Sequence, residues 1–235
     1  MTLPLPVVIA TPLILAAVGY ALWRNHKTQT RRRAEYLALA ELHGLEHALI
    51  PSRNRKPAEI RFTGGASGLS LVVTRPMTRK SGSSTTTVAG HTMLRLPDPR
   101  LDGGLALYTP ELTEGLASAA SKLMGIFDNS IARMILSKLV GDEIGAHLGE
   151  LHEQPVPAGV GLTIMATVDP NPRFDAGAIE RAIRAAPAGR NAEAKTMVMI
   201  NSAGLQIRVA RALTEASDLE RLIEVGHTLQ ADLRR

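Results

Sequence analysis

Cysteine is absent from the 235 residues, and aromatic residues make up only 3% of them. The absence of cysteine excludes disulfide bonds, thiolate metal ligands, a cysteine nucleophile and a lipid-modified N-terminal cysteine. Because apolar residues reach 45% with so few rings among them, the core must be aliphatic, built from Leu, Val, Ile, Met and Ala. The length suffices for one ordinary domain, or for two small ones, with a real core.

The net charge of +5 is concentrated near the N-terminus. Five basic residues within ten positions equal the whole excess: Arg24, Lys27, Arg31, Arg32 and Arg33. A nucleic-acid-binding domain needs a basic face, usually with aromatic or base-reading groups. Since the rest of the chain is neutral overall and poor in aromatics, we expect no nucleic-acid binding.

No charged residue occurs from Leu3 to Trp23, a run of 21 residues. As a helix this run would be roughly 31 Å long, close to the bilayer hydrocarbon core of about 30 Å. Tyr20 and Trp23 lie where an aromatic belt forms, and the basic residues follow directly. A cleaved signal peptide is disfavoured because no basic residue precedes the run and no small-residue cleavage site follows it. We predict a transmembrane helix anchored by Trp23 and the five basic residues.

The basic residues also predict the orientation of this span. Lys and Arg next to a membrane helix stay on the cytoplasmic side. We therefore expect the N-terminus outside, the C-terminal domain in the cytoplasm and the lipid bilayer as a partner.

The rest of the sequence predicts an α+β fold, beginning with a helix. Residues 31–49 have a helical pattern that can continue the membrane helix. One apolar stripe contains Ala38, Leu42, Leu45 and Leu49.

Strand signals follow this helix. "AEIRFTG" and "LSLVVTR" flank the turn-like "GGASG" and predict a hairpin. "SGSSTTT" (81–87) is predicted as a polar loop, with strands at Thr87–Leu96 and Leu105–Tyr108. Thr109 and Pro110 mark the start of a helical pattern that runs to about Glu153. Its apolar side contains Ile131, Met134, Ile135, Leu139 and Ile144.

The segment "QPVPAG" is the best internal boundary. After it, residues 160–168 form an apolar run typical of a buried strand. Asp175 can cap a helix, "TMVMI" and "LQIRVAR" form a hairpin around "NSAG", and Ser217 can cap the last helix. We predict an anchor with its basic segment at 1–33, a helix, β-meander and helical region at 34–155, and an α+β lobe at 156–235, with a helix-covered sheet in each lobe.

Residues 160–235 carry a resemblance. "VDPNPRFDAGAI" before a helix, then "TMVMINSAGLQIRVA" and a closing helix, resemble a broad set of uncharacterised bacterial proteins with an N-terminal membrane helix and a cytoplasmic α+β region. The resemblance implies the architecture and nothing more. It implies no catalytic residues, because such proteins are of unknown function.

The pentapeptide "HGLEH" at 43–47 is the one arrangement with a catalytic pattern. On a helix, His43, Glu46 and His47 would share one sector, as in H-x-x-E-H zinc peptidases, where two imidazoles hold zinc and the carboxylate activates water. A third ligand is needed, and Glu111 and Glu114 are candidates by type only. A solvated helix face is the competing interpretation. Gly44 could also end the helix before His47 and remove the spacing.

The other clusters of polar residues do not have the spacing of a known metal, phosphate or calcium site. His147, Glu150 and His152 have a spacing that turns the last histidine away from the first. "GGASG" lacks the Lys-Ser/Thr of a phosphate-binding loop, and Asp169, Asn171 and Asp175 lack the EF-hand register. We expect no cofactor, and no small-molecule substrate is identifiable.

These observations lead to one main expectation and two alternatives. The main one is a non-enzymatic, membrane-anchored cytoplasmic domain that binds a protein partner or itself at the inner membrane. One alternative is a membrane-bound zinc hydrolase that uses His43, Glu46 and His47. The other is a lipid-sensing domain that uses the basic segment and residues 129–146.

Overall fold

The computed structural model describes residues 5–53, 56–81, 84–110, 150–187 and 196–234, and the backbone alone for residues 5–18, 79–81 and 84. Three helices and eleven strands lie in these ranges. The helices are α1 (Leu5–Leu42), α2 (Ala176–Ala185) and α3 (Ala216–Asp232). The strands are β1 (Leu45–Ile50), β2 (Glu59–Gly64), β3 (Leu69–Thr74), β4 (Met77–Ser81), β5 (Ser84–Val88), β6 (His91–Leu96), β7 (Leu105–Pro110), β8 (His152–Gln154), β9 (Leu162–Ala166), β10 (Thr196–Asn201) and β11 (Gly204–Val209).

The prediction of an α+β fold with antiparallel hairpins is confirmed. Nine strands form one antiparallel sheet in the order β1-β2-β3-β6-β11-β10-β7-β9-β8, and β4 and β5 form a separate two-stranded sheet. The hairpins β2–β3 and β10–β11 occur where the turn signals predict them. The predicted buried strand near residue 160 is β9.

The prediction of a separate sheet in each half of the chain is wrong. Hairpin β10–β11, from the C-terminal half, lies between β6 and β7, from the N-terminal half. Every residue of β11 is buried, as are all but the last of β10, which suits the centre of a sheet with both faces covered. Strands from both sides of the predicted boundary at 155 therefore share one hydrogen-bonded sheet.

Helix α1 ends earlier than the apolar stripe predicts. Gly44 adopts φ +62°, the left-handed conformation that ends helices, and its N–H donates to the carbonyl of Glu41 at 3.1 Å. The prediction of helix from residue 31 to 49 is thus wrong beyond Leu42, where the chain turns into β1. The predicted stripe is wrong too, because α1 buries Tyr36, Leu39 and Ala40 and exposes Leu42.

Three further predictions are wrong at the level of single elements. The segment 81–87 contributes to strands β4 and β5. Thr109 and Pro110 end strand β7, and residues 152–154 form β8, so the predicted helix neither starts nor ends where the pattern placed it. Residues 111–149, with their apolar side, lie outside the described residues. Helix α3 begins at Ala216 with no side-chain cap bond, so Ser217 is not its cap.

The three helices cover one face of the large sheet. Alternate strand residues on that face, such as Phe62, Leu94 and Ile207, form one continuous core with the buried sides of α1, α2 and α3. The cap prediction for α2 is confirmed, since the carboxylate of Asp175 accepts from the N–H of Gly177 at 2.8 Å. A smaller apolar cluster on the other face contains Leu105, Leu107, Met197 and Met199.

Candidate functional site

The two histidines of "HGLEH" belong to different elements. His43 follows the last residue of α1, whereas His47 is the third residue of β1. Since neighbouring strand residues point to opposite faces, Glu46 and His47 face opposite sides of the sheet. The helical sector that an H-x-x-E-H zinc site requires is therefore not formed.

Metal ligands are not gathered elsewhere in the described part of the chain. Among the described residues, no group of three or more His, Asp or Glu side chains could hold a metal ion. The proposed third ligands, Glu111 and Glu114, and also His147 of the second histidine pattern, lie outside the described residues. His152 lies in β8.

His47 is instead a packing residue under helix α1. Its ring lies 5.7 Å from the ring of Tyr36 and 5.1 Å from that of Phe62, measured between centroids. Tyr36 and Phe62 meet edge to face at 6.0 Å. Burial lowers the pKa of His47, which favours the neutral imidazole expected among these rings.

Tyr36 also fixes α1 to the segment before α3. Its hydroxyl donates to the carbonyl of Thr214 at 2.7 Å, while its ring is 1% exposed. Burial raises the pKa of Tyr36, although the nearby charges of Arg75 and Arg32 act in the opposite direction. One turn earlier on α1, Arg32 forms an ion pair of 2.6 Å with Glu215. The last three turns of α1 are thus attached to both the sheet and the segment before α3.

The part of α1 before this junction is exposed from Gly19 onwards. Tyr20 and Trp23 are 62% and 57% exposed, and their ring centroids are 5.9 Å apart. The ammonium of Lys27 lies 5.3 Å from the Trp23 ring centroid, a cation–π contact. Arg24 and Arg33 are also exposed, and Arg31 pairs with Glu35 at 2.7 Å. The predicted anchoring residues therefore lie together on a solvated stretch of helix.

The predicted membrane span coincides only in part with described side chains. Residues 3–18 of that span lie outside them. In the portion that the structure does describe, no helix combines the length and apolar character needed to cross a membrane. The span stays a prediction.

Three buried polar groups were not singled out from the sequence. Arg208 is 7% exposed, and its Nε and Nη1 atoms have no hydrogen-bond partner among the described residues. His91 is half-buried, and its pKa falls to about 4 because of burial, with the charge of Arg208 adding to the effect. The hydroxyl of Tyr108 is buried with no partner in the part of the chain that the structure describes, and burial raises its pKa. Alternation along β11 and β7 was the one available signal, but it could not show which face is covered.

The described residues thus form a structural junction, where one exposed helix enters an α+β core. The chain matches no protein-family model, no curated protein and no solved structure.

Proposed function

We propose that this chain is a single-pass protein of the bacterial inner membrane whose α+β domain lies in the cytoplasm and binds a protein partner or a second copy, without enzymatic activity. The observation that carries the proposal is the continuity of α1 from Leu5 to Leu42. One unbroken helix contains most of the uncharged run, then the basic residues, then the docked residues Tyr36 and Leu39.

The chemistry along α1 follows the order expected of an anchor. Apolar residues suit the hydrocarbon core, Tyr20 and Trp23 suit its boundary, and the arginines suit the cytoplasmic headgroups. Nine residue steps, about 14 Å of helix, separate Trp23 from Arg32, so the domain would sit close to the membrane surface.

Membrane insertion is tested by placing charge in the span. We expect the double variant Leu13→Arg/Leu15→Arg to lose resistance to alkaline extraction, because each arginine near the centre costs about 2.5–3.5 kcal/mol. The matched control is Leu37→Arg/Leu42→Arg, which adds the same charges at positions that are 60% and 68% exposed on the same helix. Equal extraction of the two variants, or extraction of the unmodified protein, would contradict the anchor.

Orientation needs a separate measurement. A C-terminal reporter that is active only in the cytoplasm should be active in the unmodified protein. Replacing Arg31, Arg32 and Arg33 with glutamate should reduce that activity, since basic residues set the orientation. A reporter that works only on the far side of the membrane would place the domain outside.

Partner binding is proposed because β1 forms one edge of the sheet in the described part of the chain and exposes Glu46 and Ala48. An edge strand presents backbone groups that another chain can pair with. A photo-crosslinking residue at Ala48 should yield one stoichiometric adduct in intact membranes, either with a partner or with a second copy. The same residue at the exposed Ser202 is the control. No adduct specific to Ala48 under any growth condition would count against this surface.

A further inference from the structure

Helix α1 leaves the domain at one end of the sheet. Strand β3 finishes there at Thr74, and Arg75 follows at a position where its charge acts on the Tyr36 hydroxyl. The ion pair of Arg32 with Glu215 lies at the same end. We call this the exit end of the sheet.

The exit end carries an excess of exposed basic residues. Four of them come from three different connections: Arg53, Lys56, Arg75 and Arg211. The nearby acidic groups are largely neutralised, since Glu59 pairs with Arg61 at 2.7 Å and Glu215 pairs with Arg32. Asp218, in the first turn of α3, is a further carboxylate at this end, and Glu180, beside Gly161 just before β9, pairs with Arg184. The sequence conceals this excess because acidic residues elsewhere balance it.

Hairpin β4–β5 extends the same surface. It departs directly after β3 and returns directly before β6, yet it forms its own two-stranded sheet. Arg79 and Lys80 lie on β4, opposite Thr86 and Thr85 of β5. The chain contains no aspartate or glutamate between Glu59 and Asp98, so the hairpin has positive charge only.

The reach of the hairpin matches the exposed length of α1. Five strand residues extend about 17 Å. The helix from Trp23 to Arg32 covers about 14 Å. A hairpin that starts at the exit end is therefore long enough to reach the plane in which Trp23 would meet the bilayer.

The opposite end of the sheet differs in charge. Asp98 there pairs with Arg234 at 3.3 Å and lies 3.6 Å from Arg100. Asp102 and Asp175 supply further carboxylates near that end. Positive charge is therefore concentrated at the end from which α1 emerges.

We propose that hairpin β4–β5 and the exit end dock on anionic phospholipid headgroups beside the anchor. The proposal rests on the membrane anchoring proposed above, since the anchor supplies the short distance. Basic side chains within a Debye length of an anionic leaflet are attracted to it. Nucleic acid fits less well, because the chain has no aromatic residue between Phe62 and Tyr108 on which bases could stack.

Because these 235 residues contain no cysteine, a single introduced cysteine can be labelled in the whole chain. A fluorophore is attached to Thr86→Cys on the hairpin, or to Ser202→Cys in the β10–β11 turn at the opposite end. Each protein is reconstituted into vesicles with headgroup-quencher lipids, made either of phosphatidylcholine alone or of phosphatidylcholine with phosphatidylglycerol. We expect quenching at position 86 in the anionic vesicles, less in the neutral ones or at high salt, and none at position 202.

Charge variants give the size of the effect. Arg79→Gln with Lys80→Gln should lower the ratio of docked to undocked hairpin about 25-fold in anionic vesicles, about fivefold per charge. Arg100→Gln with Arg173→Gln removes two exposed charges near the opposite end and should leave quenching at position 86 unchanged. An unchanged circular dichroism spectrum shows that both variants are folded.

The other outcomes overturn the proposal in distinguishable ways. If the protein floats with the vesicles but position 86 is quenched no more than position 202, the docking is wrong and the anchor stands. If the protein floats with neither kind of vesicle, the anchor is wrong and the docking falls with it. If added RNA, rather than anionic lipid, shields the label at position 86, the hairpin binds nucleic acid and the lipid proposal is wrong.

Discussion

Truncation of Tyr36 is the sharpest test of how α1 joins the domain. The ring is 1% exposed and packs against His47 and Phe62, so Tyr36→Ala leaves a cavity in a closed aromatic group. Large-to-small changes of buried aromatics cost about 3–5 kcal/mol. Tyr36→Phe retains the ring and loses only the 2.7 Å hydrogen bond to Thr214, which should cost about 1 kcal/mol.

Hydrogen exchange measures this loss locally. In detergent micelles, the amides near the end of α1 should exchange at least about 100-fold faster in Tyr36→Ala than in the unmodified protein, the factor that a loss of about 3 kcal/mol implies. The matched control is Tyr20→Ala, at a position 62% exposed on the same helix, where we expect almost no change. Equal effects at the two tyrosines would show that α1 is not held to the sheet at Tyr36.

Three other predictions concern the domain itself. Because burial lowers the pKa of His91 to about 4 from its ordinary 6.5, the unfolded state binds a proton first as the pH falls. The contribution of neutral His91 to the free energy of unfolding should be fully present above that ordinary pKa, and roughly 1–2 kcal/mol of it should be lost towards pH 4 after allowance for solvent screening. Urea titrations should show this loss for the unmodified protein and for an exposed-site control, His26→Gln. The loss should be smaller for His91→Gln. Gly204→Ala should cost about 3 kcal/mol or more in thermal unfolding, since a Cβ there would clash with the carbonyl oxygen of Leu96. Gly103→Ala, in open space at φ +68°, should cost about 1 kcal/mol, and similar losses at the two glycines would contradict the close approach. Asp175→Ala should cost about 1 kcal/mol through loss of the α2 cap, and an unchanged melting temperature would contradict that role.

Local signals predicted the parts of the fold that depend on neighbours in sequence. The hairpins at residues 59–74 and 196–209 have strand residues on both sides of a turn, so their pairing follows from the turn. The Asp175 cap depends on a contact only two residues away. Each of these predictions is confirmed.

The remaining fold predictions failed where composition and periodicity did not indicate which segment a strand pairs with. The sequence around β11 does not indicate that this strand pairs with β6 rather than with another strand of the C-terminal half. The helical stripe through Leu45 and Leu49 gave way to strand β1, because Gly44 ends the helix and β2 offers a complete antiparallel partner. Residues 84–88, polar except for Val88, form a strand because β4 pairs with them, which their composition does not indicate.

The basic exit end of the sheet could not be predicted from the sequence for the same reason. Counting charges placed the excess at the N-terminus and left the rest of the chain neutral. Only the topology shows that Arg53, Arg75 and Arg211, far apart in sequence, reach one end of the sheet. The burial of Arg208 likewise depends on both faces of β11 being covered, which alternation along one strand cannot reveal.

The pentapeptide "HGLEH" is best understood through what its residues contact. Gly44 reverses the chain so that β1 returns beneath the helix it follows, and His47 then lies under Tyr36. A protonated imidazole in that position would be a poorly solvated charge between two rings, so neutral His47 is the form that packs. The hydroxyl of the same tyrosine donates to the carbonyl of Thr214. Helix α1 is therefore held at one place by the pentapeptide, by the edge of the sheet and by the segment before α3. If α1 is inserted as we propose, this junction sets the angle between bilayer and sheet, and with it the distance from which the β4–β5 hairpin must reach the lipid.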